Sequence, residues 1–315
     1  MTIKNFAQTS LVALAVLGLS ACGGSSSSND DGNTGTLSLS VTDAPVDSAT
    51  AVVVSFSGVT LQHSNGERVD FVFDEAREID LLQLQGNASE GLLDNEEVLA
   101  GDYEWIRLDV NVERGVRDSY ITLDDGTEHE LWIPSGEQTG LKLVSGMTVA
   151  AGGTADFTID FDLRKAVVAP GAPGGPVAGP GYMLRPALRL VNNLEVGSIS
   201  GVIDDQVVAG LCDNAGTNAG AVYVYSGADV EPMDVRDEET DPLITALVSA
   251  DDYSYEVGFL TEGTYTVSYT CDAINDDPAE ADELTFAGTA NVEVVAGEDS
   301  EHDITDDLDE GEEEA

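Results

Sequence analysis

Short runs of alternating apolar and polar residues, separated by turn dipeptides, recur along most of this chain. A side-chain period of two fits a strand with one face on a core, and it does not fit a helix. Leu37, Leu39 and Val41 alternate with Ser38, Ser40 and Thr42, followed by a turn at residues 43–47. Residues 51–59 are β-branched and read as a second strand. Asn65-Gly66 marks a hairpin between strands at 59–61 and 69–73, and Asp125-Gly126 marks another between 119–123 and 130–133. Further strands are expected at 79–84, 103–110, 155–163 and 182–191, with a short helix near 91–99. A second series follows at 198–203, 221–225, 243–248, 253–259, 264–269 and 284–295. Strands at this spacing predict an all-β fold of β-sandwiches. The Pro/Gly-rich stretch 171–181 has no apolar period and reads as a surface loop.

The N-terminus is a different kind of segment. Lys4, an apolar run from Leu11 to Leu19, and Leu19-Ser20-Ala21-Cys22 read as a lipoprotein signal peptide cut before Cys22. The run is about half of the ~20 residues a membrane-spanning helix needs. The thiol of Cys22 is then the lipid carrier and the membrane contact. Gly23 after the cysteine resembles lipoproteins sorted to the outer membrane. Residues 23–35, rich in Gly, Ser, Asn and Asp, form a tether with a reach of about 20 Å.

The remainder is long enough for two domains, and at 42% hydrophobic residues it can build packed cores. The expected division is a signal peptide (1–21), the lipidated Cys22 with its linker (22–35), a β-sandwich (36–191), an acidic β-sandwich (192–297) and an acidic disordered tail (298–315). Net charge is −48. Such a surface excludes nucleic acid, which is bound through clustered Lys and Arg. Residues 192–315 hold 33 acidic residues against one basic residue, Arg236, while residues 1–191 hold 27 acidic and 11 basic. Cys212 and Cys271 remain after lipidation, and an oxidising envelope favours their pairing as a disulfide.

Catalytic motifs are absent from the sequence: there is no Gly-x-Ser-x-Gly elbow, His-Glu-x-x-His or phosphate loop. His63, His129 and His302 read as surface residues. No cofactor is expected beyond calcium, which takes six to eight oxygen ligands. Its candidates are Asp43 with Asp47, and Asp272 with Asp276 and Asp277; Asp124 and Asp125 form a further turn-borne pair. Arg164, Lys165, Arg185 and Arg189 are the basic concentration, read as partners of nearby carboxylates or as an anion site. Trp105 and Trp132 lie in alternating strands, where burial is expected.

Residues 35–47, Ile133-Pro134-Ser135-Gly136-Glu137-Gln138-Thr139-Gly140-Leu141-Lys142-Leu143, Asp160-Phe161-Asp162-Leu163-Arg164-Lys165-Ala166 and Tyr182-Met183-Leu184-Arg185-Pro186 carry a resemblance to the bacterial lipoprotein family called domain of unknown function 4382. It spans residues 35–191 and brings no catalytic residue with it. Gly201-Val202-Ile203 and residues 253–269 are similar to carboxypeptidase-regulatory and prealbumin-like sandwiches, which are mostly accessory modules. The functional expectation is a non-catalytic outer-membrane-anchored lipoprotein acting as a binding or structural module of the cell envelope, its partner an unidentified envelope protein or glycan. The alternatives are a carbohydrate-binding or carbohydrate-active protein using paired carboxylates, and a calcium-binding surface adhesion module.

Overall fold

Leu37, Leu39 and Val41 are fully buried while Ser38 and Ser40 are half-exposed, so β1 (Thr34–Ala44) lays one face on a core. The computed structural model describes residues 33–44, 49–133, 140–171, 181–213, 215–236, 240–278 and 281–305. Cys22, Asp47 and the last ten residues lie outside them. No helix among the described residues is long and apolar enough to cross a membrane.

The chain is all-β. In the first sandwich, β1 lies between β10 (Thr154–Asp162), parallel, and β4 (Glu90–Leu99), antiparallel; β13 (Leu188–Asn192) completes this four-stranded sheet beside β10. The facing sheet is built around β2 (Ala49–His63). It pairs with β3 (Arg68–Asp80), β5 (Gly101–Val110) and β6 (Tyr120–Leu123). β7 (Glu128–Trp132), β8 (Leu141–Leu143), β9 (Met147–Val149), β11 (Val167–Val168) and β12 (Tyr182–Leu184) extend it. Leu37, Leu39, Val54, Phe56, Leu61 and Ile159 from both sheets form one core. The Asn65-Gly66 hairpin is present, with Leu61 opposite Val69 and Gly66 at φ +92°.

The second sandwich has β14 (Val196–Val202) between β17 (Ser254–Thr261) and β20 (Asp299–Glu301). Its other sheet runs β16 (Ile244–Leu247), β15 (Ala221–Ser226), β18 (Gly263–Thr270), β19 (Phe286–Val294). Ile199, Val222, Val257, Val267 and Val294 fill the space between them. β15 is buried on both faces: Tyr223 and Tyr225 point the other way, into a smaller cluster with Val235 and Ala273. The disulfide Cys212–Cys271 joins the residue after helix α2 (Asp205–Leu211) to the end of β18, with Cα atoms 5.4 Å apart.

Several expectations need correction. Residues 91–99 are strand β4, not a helix. The 79–84 strand ends at Asp80, and Leu81–Gln83 is a 3-10 turn capped by the Asp80 carboxylate. Asp43 and Ala44, expected in a turn at 43–47, belong to β1, and the rest of that turn lies outside the described residues. Residues 182–191 are not one closing strand: β12 and β13 lie in different sheets, broken at Pro186, which has no N–H to give a ladder. The helix α2 was not foreseen. Residues 298–305, expected in a disordered tail, are ordered: β20 pairs with β14, and Ile304, fully buried, bridges Ile203.

Candidate functional site

The end of β10 carries the first sandwich into the second. Asp162 accepts the Lys165 N–H at 3.2 Å and starts the four-residue helix α1 (Leu163–Ala166). That turn aims Arg164 across the junction. Its Nη1 donates to the Tyr223 hydroxyl at 2.6 Å and to Asp276 at 3.3 Å, and the guanidinium lies over the Tyr223 ring. Tyr223 in turn donates to Asp276 at 2.5 Å, and the Val235 N–H reaches the same carboxylate. The Arg164 and Asp276 side chains are 4% and 0% exposed. Burial pushes the Tyr223 phenol far above its usual range. It also raises Asp276, against the pull of the Tyr223 hydroxyl and of Arg164.

Carboxylate oxygens of Asp234, Asp276 and Asp282 lie within 4.8 Å of one another. Of the expected calcium ligands only Asp276 is in this group. Asp272 instead accepts the Thr285 N–H at 2.9 Å, and Asp277 gives its own N–H to Asp282 at 2.8 Å. Asp234 accepts from Arg236 Nε and from the Asp282 N–H, both at 2.5 Å. Arg164 thus pairs with Asp276 and Arg236 with Asp234, while Asp282 Oδ2 accepts a backbone N–H. Asp43 is buried in β1, and Asp47 is outside the described residues. Asp125 accepts the Thr127 hydroxyl and N–H, the ordinary use of Asp in a turn. The Thr127 hydroxyl bond and then its N–H hold the Asp125 carboxyl below its usual range.

The basic residues do not share one edge. Arg189 pairs with Asp160 at 2.6 Å, Lys165 with Asp162 and Asp241 at 3.5 and 3.3 Å, and Arg164 leaves for the junction. Arg185 gives its backbone N–H to the Ala166 carbonyl in the turn before Pro186. The histidines also differ from expectation. His63 is buried rather than exposed, with Nδ1 accepting the Asn65 N–H and its ring edge-on to Tyr103. His129 and His302 are half-buried, and burial lowers the His302 pKa. Trp105 and Trp132 are half-buried with cations over their rings, so the expected full burial does not hold.

Beside the ionic contact the two sandwiches leave an open cleft of about 570 Å³. Gln85 and Gly86 form one wall, and Ser200, Tyr255, Glu256 and Asp303 are part of the other. Glu301, Ser249 and Ser254 add further acceptors and hydroxyls. Gly86 is required where it stands: φ is +64°, and a Cβ would meet Glu256 Oε2 at 2.7 Å. Asn87 donates to Glu256 at 2.5 Å, tying the first sandwich to a residue of the cleft lining. Sequence reading missed Asn87, Tyr223, Asp234, Glu256 and Asp282. None sits in a motif: Tyr223, Asp234 and Asp282 converge on Asp276 through the folding of the second sandwich, and Asn87 meets Glu256 where the first sandwich packs on the second.

Fold and junction define an all-β protein of two sandwiches joined by a buried ionic contact. Within its first sandwich, residues 34–186 match the family model Domain of unknown function (DUF4382). No curated protein matches the chain. Among solved structures, the Bacillus anthracis TIE protein is 11% identical, with 86% of this chain and 34% of that one covered, at a TM-score of 0.20. This chain thus spans about a third of that protein's length. The minor pilin GBS52 of Streptococcus agalactiae is 8% identical, with 85% and 94% covered and a TM-score of 0.20. BcpA, the major pilin subunit of Bacillus cereus, is 9% identical, with 86% and 69% covered and the same TM-score of 0.20. At such TM-scores the likeness bears on neither ligand nor activity.

Proposed function

We propose that this protein is a non-catalytic binding module of the cell envelope, tethered to the outer membrane by lipid on Cys22. In this reading the two sandwiches, divided near residue 192, are its two domains, and the cleft between them takes the ligand. The cleft carries the proposal. Its volume lies within the ~300–1,000 Å³ usual for ligand sites. Carboxylates of Glu256, Glu301 and Asp303 beside the hydroxyls of Ser200, Ser249 and Ser254 offer acceptors and donors to a hydroxyl-rich ligand such as a neutral glycan.

Two measurements test this, metabolic labelling in expressing cells and binding by the purified full chain in detergent micelles. Labelled palmitate should enter the protein and be lost in Cys22→Ala. Calorimetry against neutral oligosaccharides should show binding that weakens about tenfold in Glu256→Gln or Glu301→Gln, since each loses an ionic acceptor. Binding unaffected by both substitutions removes the cleft from the proposal. Release of new reducing ends, abolished by substituting one carboxylate, would make the protein an enzyme instead. A large gain in melting temperature from millimolar Ca²⁺, beyond that of NaCl at equal ionic strength, would favour the calcium-dependent adhesion alternative.

A further inference from the structure

Away from the cleft, on the sheet built around β2, the chain assembles a cationic aromatic patch from three strands. Trp105 lies on β5. Arg68, at the start of β3, places its guanidinium carbon 5.2 Å from the indole centroid, and Lys142 of β8 places its ammonium 4.3 Å from it. Register puts these residues side by side: Gln62 of β2 lies opposite both Arg68 and Trp105, and Arg107 of β5 lies opposite Lys142. Arg68 and Lys142 are exposed and Trp105 is half-buried.

The charges are unusual for this molecule. Acidic residues outnumber basic ones 60 to 12, yet among the described residues neither Arg68 nor Lys142 forms an ion pair. Arg107, two residues along β5, is by contrast tied to Asp109 at 2.6 Å and to the Thr60 hydroxyl at 2.8 Å. The indole holds both cations at its π-face, and among the described residues no carboxylate forms an ion pair with either. The same sheet turns acidic nearby, where Asp109, Glu113 and Asp118 line a hollow of about 230 Å³. The positive patch is therefore short and bounded.

We propose that this patch binds an anionic glycan, a chain of sugars bearing carboxylates at intervals. Acid groups on the ligand would pair with Arg68 and Lys142, and the apolar face of a sugar ring would lie against the indole and the aliphatic stems. Charge complementarity selects the class. Double-stranded nucleic acid carries one charge per ~1.7 Å and needs many cations in a row, which a bounded patch on a body of net charge −48 does not supply. A uronate chain spaces its charges one per ring and can place a few of them locally.

The test uses the full chain in neutral detergent with hexagalacturonate as probe, maltohexaose as its uncharged counterpart, duplex DNA, and phosphatidylglycerol vesicles. Hexagalacturonate should bind and maltohexaose should not bind at this patch. Arg68→Ala and Lys142→Ala should each weaken binding about tenfold, as should Trp105→Ala, while Lys142→Arg retains it. Arg117→Ala, whose cation pairs with Glu128 on another strand, should leave binding unchanged. The two surface substitutions keep the test valid if Trp105→Ala lowers stability. The proposal is overturned if hexagalacturonate fails to bind, if DNA or vesicles bind as well and depend on the same residues, or if Arg117→Ala weakens binding equally. These substitutions leave the cleft intact, so neutral-glycan binding there is read separately.

Discussion

Tyr103 and Tyr265 do the same thing in different sandwiches. Each follows a glycine that opens a strand, and each donates its hydroxyl to the carbonyl four residues back, Leu99 at 2.8 Å and Thr261 at 2.7 Å. In both segments the sequence shows a Gly shortly before a Tyr-led strand, at 99–103 and 260–265, but nothing in it shows the shared hydroxyl bond. Gly101 sits at φ +134°, and a Cβ there would meet His63 Nε2 at 2.7 Å, so the buried histidine and the glycine fix each other. Tyr103→Phe and Tyr265→Phe should each cost about 1 kcal/mol in urea unfolding, the usual worth of one such bond plus the orphaned carbonyl. Tyrosine burial also sets alkaline behaviour. Burial pushes Tyr269 up to about 12 and Tyr223, Tyr225 and Tyr255 higher still. Above pH 10 the unfolded chain loses phenol protons that the native state keeps, so stability falls as pH rises from 10. Absorbance at the phenolate band should show these tyrosines ionising together with loss of fold; ionisation near pH 10 in an intact fold would contradict their burial.

At the scale of elements, hairpins were the readable part and sheet changes were not. Asn65-Gly66 and Asp125-Gly126 fix local geometry by backbone chemistry alone, and both hairpins form where expected. β4 failed for a definite reason. Pairing with β1 shifts register near Leu39, Asn95 takes φ +51°, and its N–H bonds the Ser38 hydroxyl. The irregularity buries both Leu92 and Leu93, which breaks the period of two and imitates a helix face. β12 and β13 looked continuous because both are apolar, although Pro186 between them marks the break. Helix α2 is short and buries one residue, Val208; its signal was Asp204, whose carboxylate accepts the Gln206 N–H. β20 hides in an acidic run because its Asp299 bonds the hydroxyls of Ser198 and Ser200 rather than water. The disulfide closes a separation of 59 residues. On the chain-entropy account, reduction should therefore cost about 4 kcal/mol. Alkylation of Cys212 and Cys271 should require reductant, and reduction should lower the melting temperature of the second sandwich. Quantitative labelling without reductant would refute the pairing.

For the whole molecule, two electrostatic effects of different range act together. At short range, Arg164 and Asp276 are buried at the junction, where a charge left alone is costly. Arg164→Ala should destabilise by about 3–5 kcal/mol, because Asp276 then loses its counter-charge, and Asp276→Asn should be milder since Tyr223 keeps an acceptor. Replacing both by apolar residues of similar volume should recover much of the loss, and a double variant as unstable as Arg164→Ala would show that shape rather than charge holds the junction. At long range, residues 192–315 carry a net −32 and residues 1–191 a net −16. Like charges at that density oppose the compact state, over a screening length of about 10 Å at 0.1 M salt and about 3 Å at 1 M. Exposed pairs such as Arg117–Glu128 weaken with salt too, but they are few beside the unpaired carboxylates and each is worth little. The buried junction is screened much less. Raising NaCl to about 1 M should therefore raise the melting temperature, and more for the transition reported by the second sandwich than for that of the first. Trp105 and Trp132 both lie in the first sandwich and six of the nine tyrosines lie in the second, so the two transitions can be followed against each other. Equal gains in tryptophan and tyrosine transitions would mean that the junction couples the sandwiches into one cooperative unit. No gain in either would mean that self-repulsion contributes nothing to the balance.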